Sequence, residues 1–201
     1  MNHIYKLLNK LLLLICFVSF GLSENNVSLL DSMSIALYKD GGKLIEATIE
    51  QIQVENNWTD YITVEIVDSM KFIFIATDQI IKVDTDTIYT FTPNTNQVVV
   101  DHYYRNEFNM LSMLSGNFNQ IKVVDTQKRL RDTIINFTIP EIESRGKIWI
   151  NSTSYYPIRM ILEDDLENHT TITIDTINPL GIQNQYNDYD NDGWEIIDLR
   201  E

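Results

Sequence analysis

The sequence is 201 residues long, with one cysteine, 15 Lys and Arg against 29 Asp and Glu, and a formal net charge of -14 at pH 7. A surface that acidic repels phosphate backbones and anionic headgroups, which excludes nucleic acid as a partner and discourages passive adhesion to a membrane. The length suits one domain with a sizeable core.

Met1 to Ser23 place Lys6 and Lys10 ahead of the apolar run Leu11 to Phe20 and end in Gly21-Leu22-Ser23. A basic start, a short apolar core and small residues before the cut read as a secretory signal peptide removed before Glu24. The run falls short of the ~20 apolar residues that span a bilayer. Cys16 follows Ile15, where lipobox processing wants a small side chain, so it is read as lost with the peptide rather than lipidated. Residues 24–201 are then a single domain without cysteine.

Asn25 to Tyr38 carries Leu29, Leu30, Met33, Ile35, Ala36 and Leu37 near helical spacing behind a Ser28 cap, and stops at Asp40-Gly41-Gly42. This predicts an amphipathic helix covering one end of a sheet. From Lys43 the chain turns to strands. Ile45, Ala47 and Ile49 alternate with Glu46, Thr48 and Glu50, and a slip of phase near Gln51 predicts a bulge before Ile52 and Val54. Ile62, Val64 and Ile66 alternate with Thr63 and Glu65, Phe72 and Phe74 with Lys71 and Ile73, and Ile80 to Val83 leads into a hairpin from Asp84 to Val100.

In that hairpin Tyr89 and Phe91 stand two residues apart, so both rings leave the same side of the strand and form an aromatic floor on which something apolar should lie. Pro93 to Asn96 makes the turn and Val98 to Val100 the return. Further strands are predicted at Gln120 to Val124, Thr133 to Ile139, Lys147 to Ile150, Pro157 to Leu162, Thr170 to Ile177 and Glu195 to Leu199. Roughly ten antiparallel strands joined by short polar turns point to a barrel or a strongly curved sheet. Asn106 to Gly116, with Phe108, Met110, Leu111, Met113 and Leu114, interrupts them as a short helix closed by Gly116. It either plugs the sheet as core or forms a mobile lid over an apolar cavity, its methionines supplying adaptable surface.

Chemistry-bearing patterns are sparse. His102 and His169 lack ligand-like spacing, and the sequence has no His-Glu-x-x-His, no Gly-x-Ser-x-Gly and no glycine-rich phosphate loop. The chain therefore reads as a binding protein without cofactor rather than an enzyme. Asp188-Tyr189-Asp190-Asn191-Asp192-Gly193 is like the first half of a calcium loop, but its twelfth place is Leu199. It reads as an acidic turn, with Asp188, Asp190 and Asp192 as candidate calcium ligands.

The hairpin resembles the central hairpin of the LolA family of periplasmic lipoprotein carriers. Asp84, Thr85, Asp86, Thr87, Ile88, Tyr89, Thr90, Phe91, Thr92, Pro93 and Gln97 fill its pattern, with Thr85 where Gly is usual. The resemblance runs in order over nearly all of residues 24–201. It takes in the first helix, Phe72 and Phe74, and the Met-rich segment at the family's inner helix. Asn136-Phe137-Thr138-Ile139-Pro140, Tyr156-Pro157-Ile158-Arg159 with Asp164 or Asp165 after it, and Gly193-Trp194-Glu195-Ile196-Ile197-Asp198 continue it.

What the resemblance implies is an incomplete, open antiparallel β-barrel with a helical lid over a hydrophobic cavity. It further implies a monomeric periplasmic chaperone that binds the acyl chains of lipoproteins. Such a carrier takes cargo from an inner-membrane lipoprotein-releasing ABC transporter to an outer-membrane lipoprotein receptor. The acyl-binding face expected here is Ile62, Val64, Ile66, Phe72, Phe74, Tyr89 and Phe91, with Met110, Leu111, Met113 and Leu114 as lid. Asp68-Ser69 stands where the family has Arg-Pro, so Arg105 is the candidate latch. A lipid-binding envelope sensor or scaffold of the same fold is the alternative.

Overall fold

The computed structural model describes residues 29–39, 41–53, 57–107, 113–164, 168–182 and 184–200. Residues 29–38 are helical and are called α1. Leu30, Met33 and Leu37, at helical spacing, point into the core, whereas Ile35 on the far side is exposed.

Among the described residues, twelve strands form one sheet. In chain order they are β1 (Lys43–Ile52), β2 (Asn57–Asp68), β3 (Lys71–Ile75), β4 (Ile80–Asp84), β5 (Thr87–Thr92), β6 (Gln97–His102), β7 (Lys122–Lys128), β8 (Asp132–Ile139), β9 (Ser144–Asn151), β10 (Pro157–Glu163), β11 (His169–Pro179) and β12 (Glu195–Asp198). Their spatial order is β12-β6-β5-β4-β3-β2-β1-β11-β10-β9-β8-β7, so the sheet is curved and open, with β12 and β7 as its two edges. The chain starts at the middle with β1, meanders outward to β6, crosses to the other edge at β7, and meanders back until β11 pairs with β1.

Two expectations are corrected by the register. β1 pairs regularly with β2 through Ile52, and the irregularity lies between Glu46 and Ala47 opposite β11, where Asp175 is the extra residue. The slip of phase near Gln51 marks the strand leaving the core, not a bulge. The last strand is not antiparallel: β12 runs parallel to β6 over Glu195 to Asp198. It arrives by a crossover rather than a hairpin, and a crossover delivers a parallel strand.

The crossing between β6 and β7 runs on the same side of the sheet as α1. Met113 and Leu114 from that crossing pack in one cluster with Leu30, Met33 and Leu37 and with the strand residues Ile45, Ile66 and Ile135. Lys43, buried at the start of β1, donates its Nζ to the carbonyls of Lys39 and, at 3.3 Å, Gly42, placing a cation at the carboxyl end of α1. Gly42 has φ +95°, and a Cβ there would overlap the Ile66 carbonyl oxygen, so only glycine lets the helix end sit this close to β2. Among the described residues no helix is long and apolar enough to cross a membrane.

The two-residue turn between β4 and β5 contains Thr85 at φ +64°, a left-handed value that a β-branched side chain adopts at a cost. The position where the resemblance leads one to expect Gly is the position that needs it. The turn is held by the Thr85 N–H on the Met70 carbonyl at 2.8 Å and the Tyr103 N–H on the Asp86 carbonyl at 2.7 Å. Relief of the strain outweighs the added freedom of the unfolded chain, so Thr85→Gly is expected to stabilise the fold by about 0.5–1 kcal/mol. A urea midpoint that falls in this variant contradicts that account.

Candidate functional site

Cross-strand register decides what each face carries. On one face Ile45 lies opposite Val64, Ala47 opposite Ile62, Val64 opposite Phe74, Ile66 opposite Phe72, and Phe74 opposite Ile81. This inner face also receives α1 and the β6–β7 crossing. Ten helical residues reach ~15 Å, whereas a twelve-residue strand such as β2 runs ~40 Å. The described residues of α1 cannot cover the whole of the apolar face.

Beyond its reach the inner face opens into a cavity of about 660 Å³ at the ends of β1 to β4. Ile49, Ile62, Phe74, Ala76 and Ile81 supply apolar wall, and Trp58, Asp60 and Thr77 lie at its mouth. Trp58 is 42% exposed, and its Nε1–H donates to Gln51 Oε1 at 2.7 Å, so its indole is fixed at the boundary between water and the apolar wall. Asp60 ties β2 to the turn after β3: its carboxylate accepts from Thr77 Oγ1 at 2.6 Å and from the Thr77 N–H at 3.3 Å. The Thr77 hydroxyl hydrogen bond holds the Asp60 carboxyl below the usual carboxylate range, against the opposing effect of burial.

Of the seven residues expected on one acyl-binding face, the structure brings Ile62 and Phe74 into the cavity wall. Val64, Ile66 and Phe72 share their face but are buried farther along it, Phe72 edge-on to Tyr103 at 6.0 Å. Tyr89 and Phe91 lie on the opposite, outer face, because Lys82 pairs with Tyr89, Ile80 with Phe91, and Thr90 takes the inner position opposite Ile81. Spacing showed that the two rings share a side but not which side of the sheet that is.

Something apolar does lie on those rings, and it is the chain's own C-terminal segment. Tyr89 stacks on Phe91 at 6.3 Å, Tyr189 tilts onto Phe91 at 5.6 Å, and Trp194 meets it edge-on at 5.1 Å. The Tyr186 N–H donates to the buried Glu65 carboxylate at 2.9 Å, and Lys82 Nζ donates to the Tyr189 carbonyl at 2.7 Å. Burial first, then the Asp84 carboxylate, pushes the Tyr186 hydroxyl well above its ordinary range.

Among the lid residues, Met113 and Leu114 are buried beside α1, while Met110 and Leu111 lie outside the described residues. Arg105 is exposed; its Nη1 lies 3.3 Å from Met70 Sδ, and its carbonyl accepts from Asn117 Nδ2 at 3.0 Å. It lines a second cavity, of about 580 Å³, between α1 and the crossing, together with Ser34, Tyr38 and Lys122. The Asp188, Asp190 and Asp192 carboxylates do not form a ligand cluster: Asp190 accepts the Asp192 N–H at 3.0 Å, and no metal-binding group of three acidic, His or Cys side chains occurs among the described residues. That turn brings Trp194 back over Phe91.

Sequence reasoning missed Trp58, Ala76 and Ile81 as cavity residues. Trp58 was findable, since it falls in phase with Ile62, Val64 and Ile66 along β2. Ile81 needed the β3–β4 register.

The fold is the open, curved sheet with a helix on its inner face that the resemblance to the LolA family leads one to expect. No protein-family model matches the chain, and no curated protein matches it. Among solved structures it shares its fold with an uncharacterized conserved protein from Thermus thermophilus, at 10% identity over 87% of this chain and 99% of that one, with a TM-score of 0.58. It is also similar to a LolA superfamily protein from Nitrosomonas europaea, at 10% identity, 78% and 94% coverage and a TM-score of 0.49. A candidate outer-membrane lipoprotein-sorting domain from Vibrio parahaemolyticus matches at 10% identity, 79% and 95% coverage and a TM-score of 0.48.

Tyr38 joins α1 to the crossing by donating its hydroxyl to the Ser115 carbonyl. Burial pushes that hydroxyl up to about 12, with Arg105 pulling the other way. A folded-state value above the ordinary one means that this contribution is fully present below about pH 10 and is lost as pH rises through about 12. Tyr38→Phe is expected to cost about 1 kcal/mol at neutral pH and to flatten the fall in stability between those limits, read by urea unfolding across alkaline pH. Equal slopes in the two proteins contradict it.

Proposed function

We propose that this chain is a periplasmic carrier that shelters lipoprotein acyl chains in the inner-face cavity and hands its cargo from an inner-membrane releasing transporter to an outer-membrane receptor. The observation that carries the reading is the apolar cavity of about 660 Å³ on the inner face beyond the reach of α1. The order of the LolA-like motifs supports it, as does a basic-then-apolar start that reads as an export signal. The task is binding, with no bond made or broken.

The size of the cavity fits the energetics of a carrier. Pockets of about 300–1,000 Å³ hold one small ligand, so this one takes part of a lipid anchor rather than all of it. Each methylene withdrawn from water contributes about 0.8 kcal/mol, and eight of them contribute about 6 kcal/mol. That corresponds to a dissociation constant of tens of micromolar, roughly. Such binding keeps an acyl chain out of water and still lets it leave, which full burial of several chains would prevent.

Ala76 offers a test that adds bulk without removing a core side chain, because it lines the cavity beside Phe74 and Ile81. Ala76→Trp is expected to weaken binding of an acylated lipoprotein by tenfold or more while leaving Tm within a few degrees of the parent. Native mass spectrometry reads the one-to-one complex, and incubation with outer-membrane vesicles reads its release. Unchanged binding in the filled variant sinks the cavity as the acyl site. A complex that forms and never passes its cargo on sinks the carrier role and leaves a lipid-binding sensor.

A further inference from the structure

The mouth of the inner-face cavity carries charge of one sign. Among its described lining residues Asp60 and Asp78 are the charged ones, and no Lys, Arg or His is present. The nearest comparisons within the molecule show that cations are placed elsewhere. Arg105 and Lys122 line the second cavity, Lys82 is engaged with the Tyr189 carbonyl on the outer face, and Lys43 is buried against the end of α1. Both acidic side chains are held by neutral groups: Asp60 by Thr77, and Asp78 by the Asn94 amide at 3.4 Å. Neither takes part in an ion pair among the described residues. Their two negative charges are therefore uncompensated at the rim of an apolar space.

An amphiphile whose chain lies along Ile49, Phe74 and Ile81 has to leave its polar head at this rim. The apolar wall behind the rim lowers the local dielectric, so the head feels the two carboxylates more strongly than it would in open water. We infer that the cavity selects amphiphiles by head charge, admitting chains with uncharged or cationic heads and rejecting anionic ones. Free fatty acids and anionic phospholipids fall in the rejected class. An acyl chain joined to a protein through an ester or amide carries no charge at the link and falls in the accepted one. Specificity of this type is a difference between affinities, obtained here by a repulsive element at the entrance rather than by an extra contact inside. The inference rests on the cavity being the acyl site and adds which acyl compounds compete for it.

The test uses three amphiphiles with the same ten-carbon alkyl chain, each below its micelle concentration: decyl maltoside, undecanoate and decyltrimethylammonium. Displacement of a fluorescent apolar probe from the intact protein reads their affinities at low and high ionic strength. Undecanoate is expected to bind about tenfold more weakly than the maltoside at low salt, and the ammonium at least as tightly as the maltoside. The gap shrinks as salt screens the rim. Asp78→Asn, an exposed change that leaves the Thr77 tie intact, narrows the gap to about threefold, and Asp60→Asn with Asp78→Asn together closes it, with Tm confirming the fold in each. Undecanoate binding as tightly as the maltoside, or a gap that survives in the double variant, overturns the charge selection while the cavity reading stands. If none of the three displaces the probe, it is the cavity reading that fails, and the inference goes with it.

Discussion

The structure depends on a mismatch of lengths. The sheet presents a continuous apolar inner face along β1, β2 and β3, and the described residues of the helix that packs against it span only part of that face. A sheet facing water with this much hydrophobic side chain is a binding surface or a liability, and the curvature of the open sheet makes it concave. Ile49, Ile62, Phe74 and Ile81 are consequently both core and lining. Their register is fixed by the buried pairs farther along the same strands, so the wall is rigid where Val64, Ile66 and Phe72 anchor it.

The outer face is treated in the opposite way. Tyr89 and Phe91 would be as exposed as the cavity wall if the chain ended at β11, but residues 184–198 return across them and finish as a parallel edge strand on β6. Tyr189 and Trp194 fill the space over Phe91, and the Glu65 carboxylate and the Lys82 ammonium fix the returning backbone. One face of the central strands is closed by the protein itself, and the other opens into the cavity at the ends of β1 to β4.

Much of this was legible in the sequence, and the reasons for the rest are specific. Alternation located the strands, because period two survives wherever one face is buried, and Ile62, Val64 and Ile66 shared the inner face as expected. Which face received Tyr89 and Phe91 was not legible, since spacing within a strand is silent on the far side of the sheet and the register with β4 decides it. The closing Gly193-Trp194 segment read as one more antiparallel strand because nothing local marks a crossover; its aromatic residues, matched with the aromatic hairpin, were the available signal. Thr85 shows the converse case, where a departure from a family pattern pointed to a backbone position that the structure places in the left-handed region.

The central claim is that an acyl chain enters between the ends of β1 to β4 on the inner face. The most direct measurement is photo-crosslinking with an acylated lipoprotein whose chain carries a diazirine near its middle, followed by mapping of the labelled peptides by mass spectrometry. The account predicts labels on the strand ends around Ile49, Trp58, Ile62 and Ile81, and their loss in Ala76→Trp. Labels concentrated on Tyr89, Phe91 or the returning segment around Trp194 would contradict it, because they would place the ligand on the face that the protein covers itself.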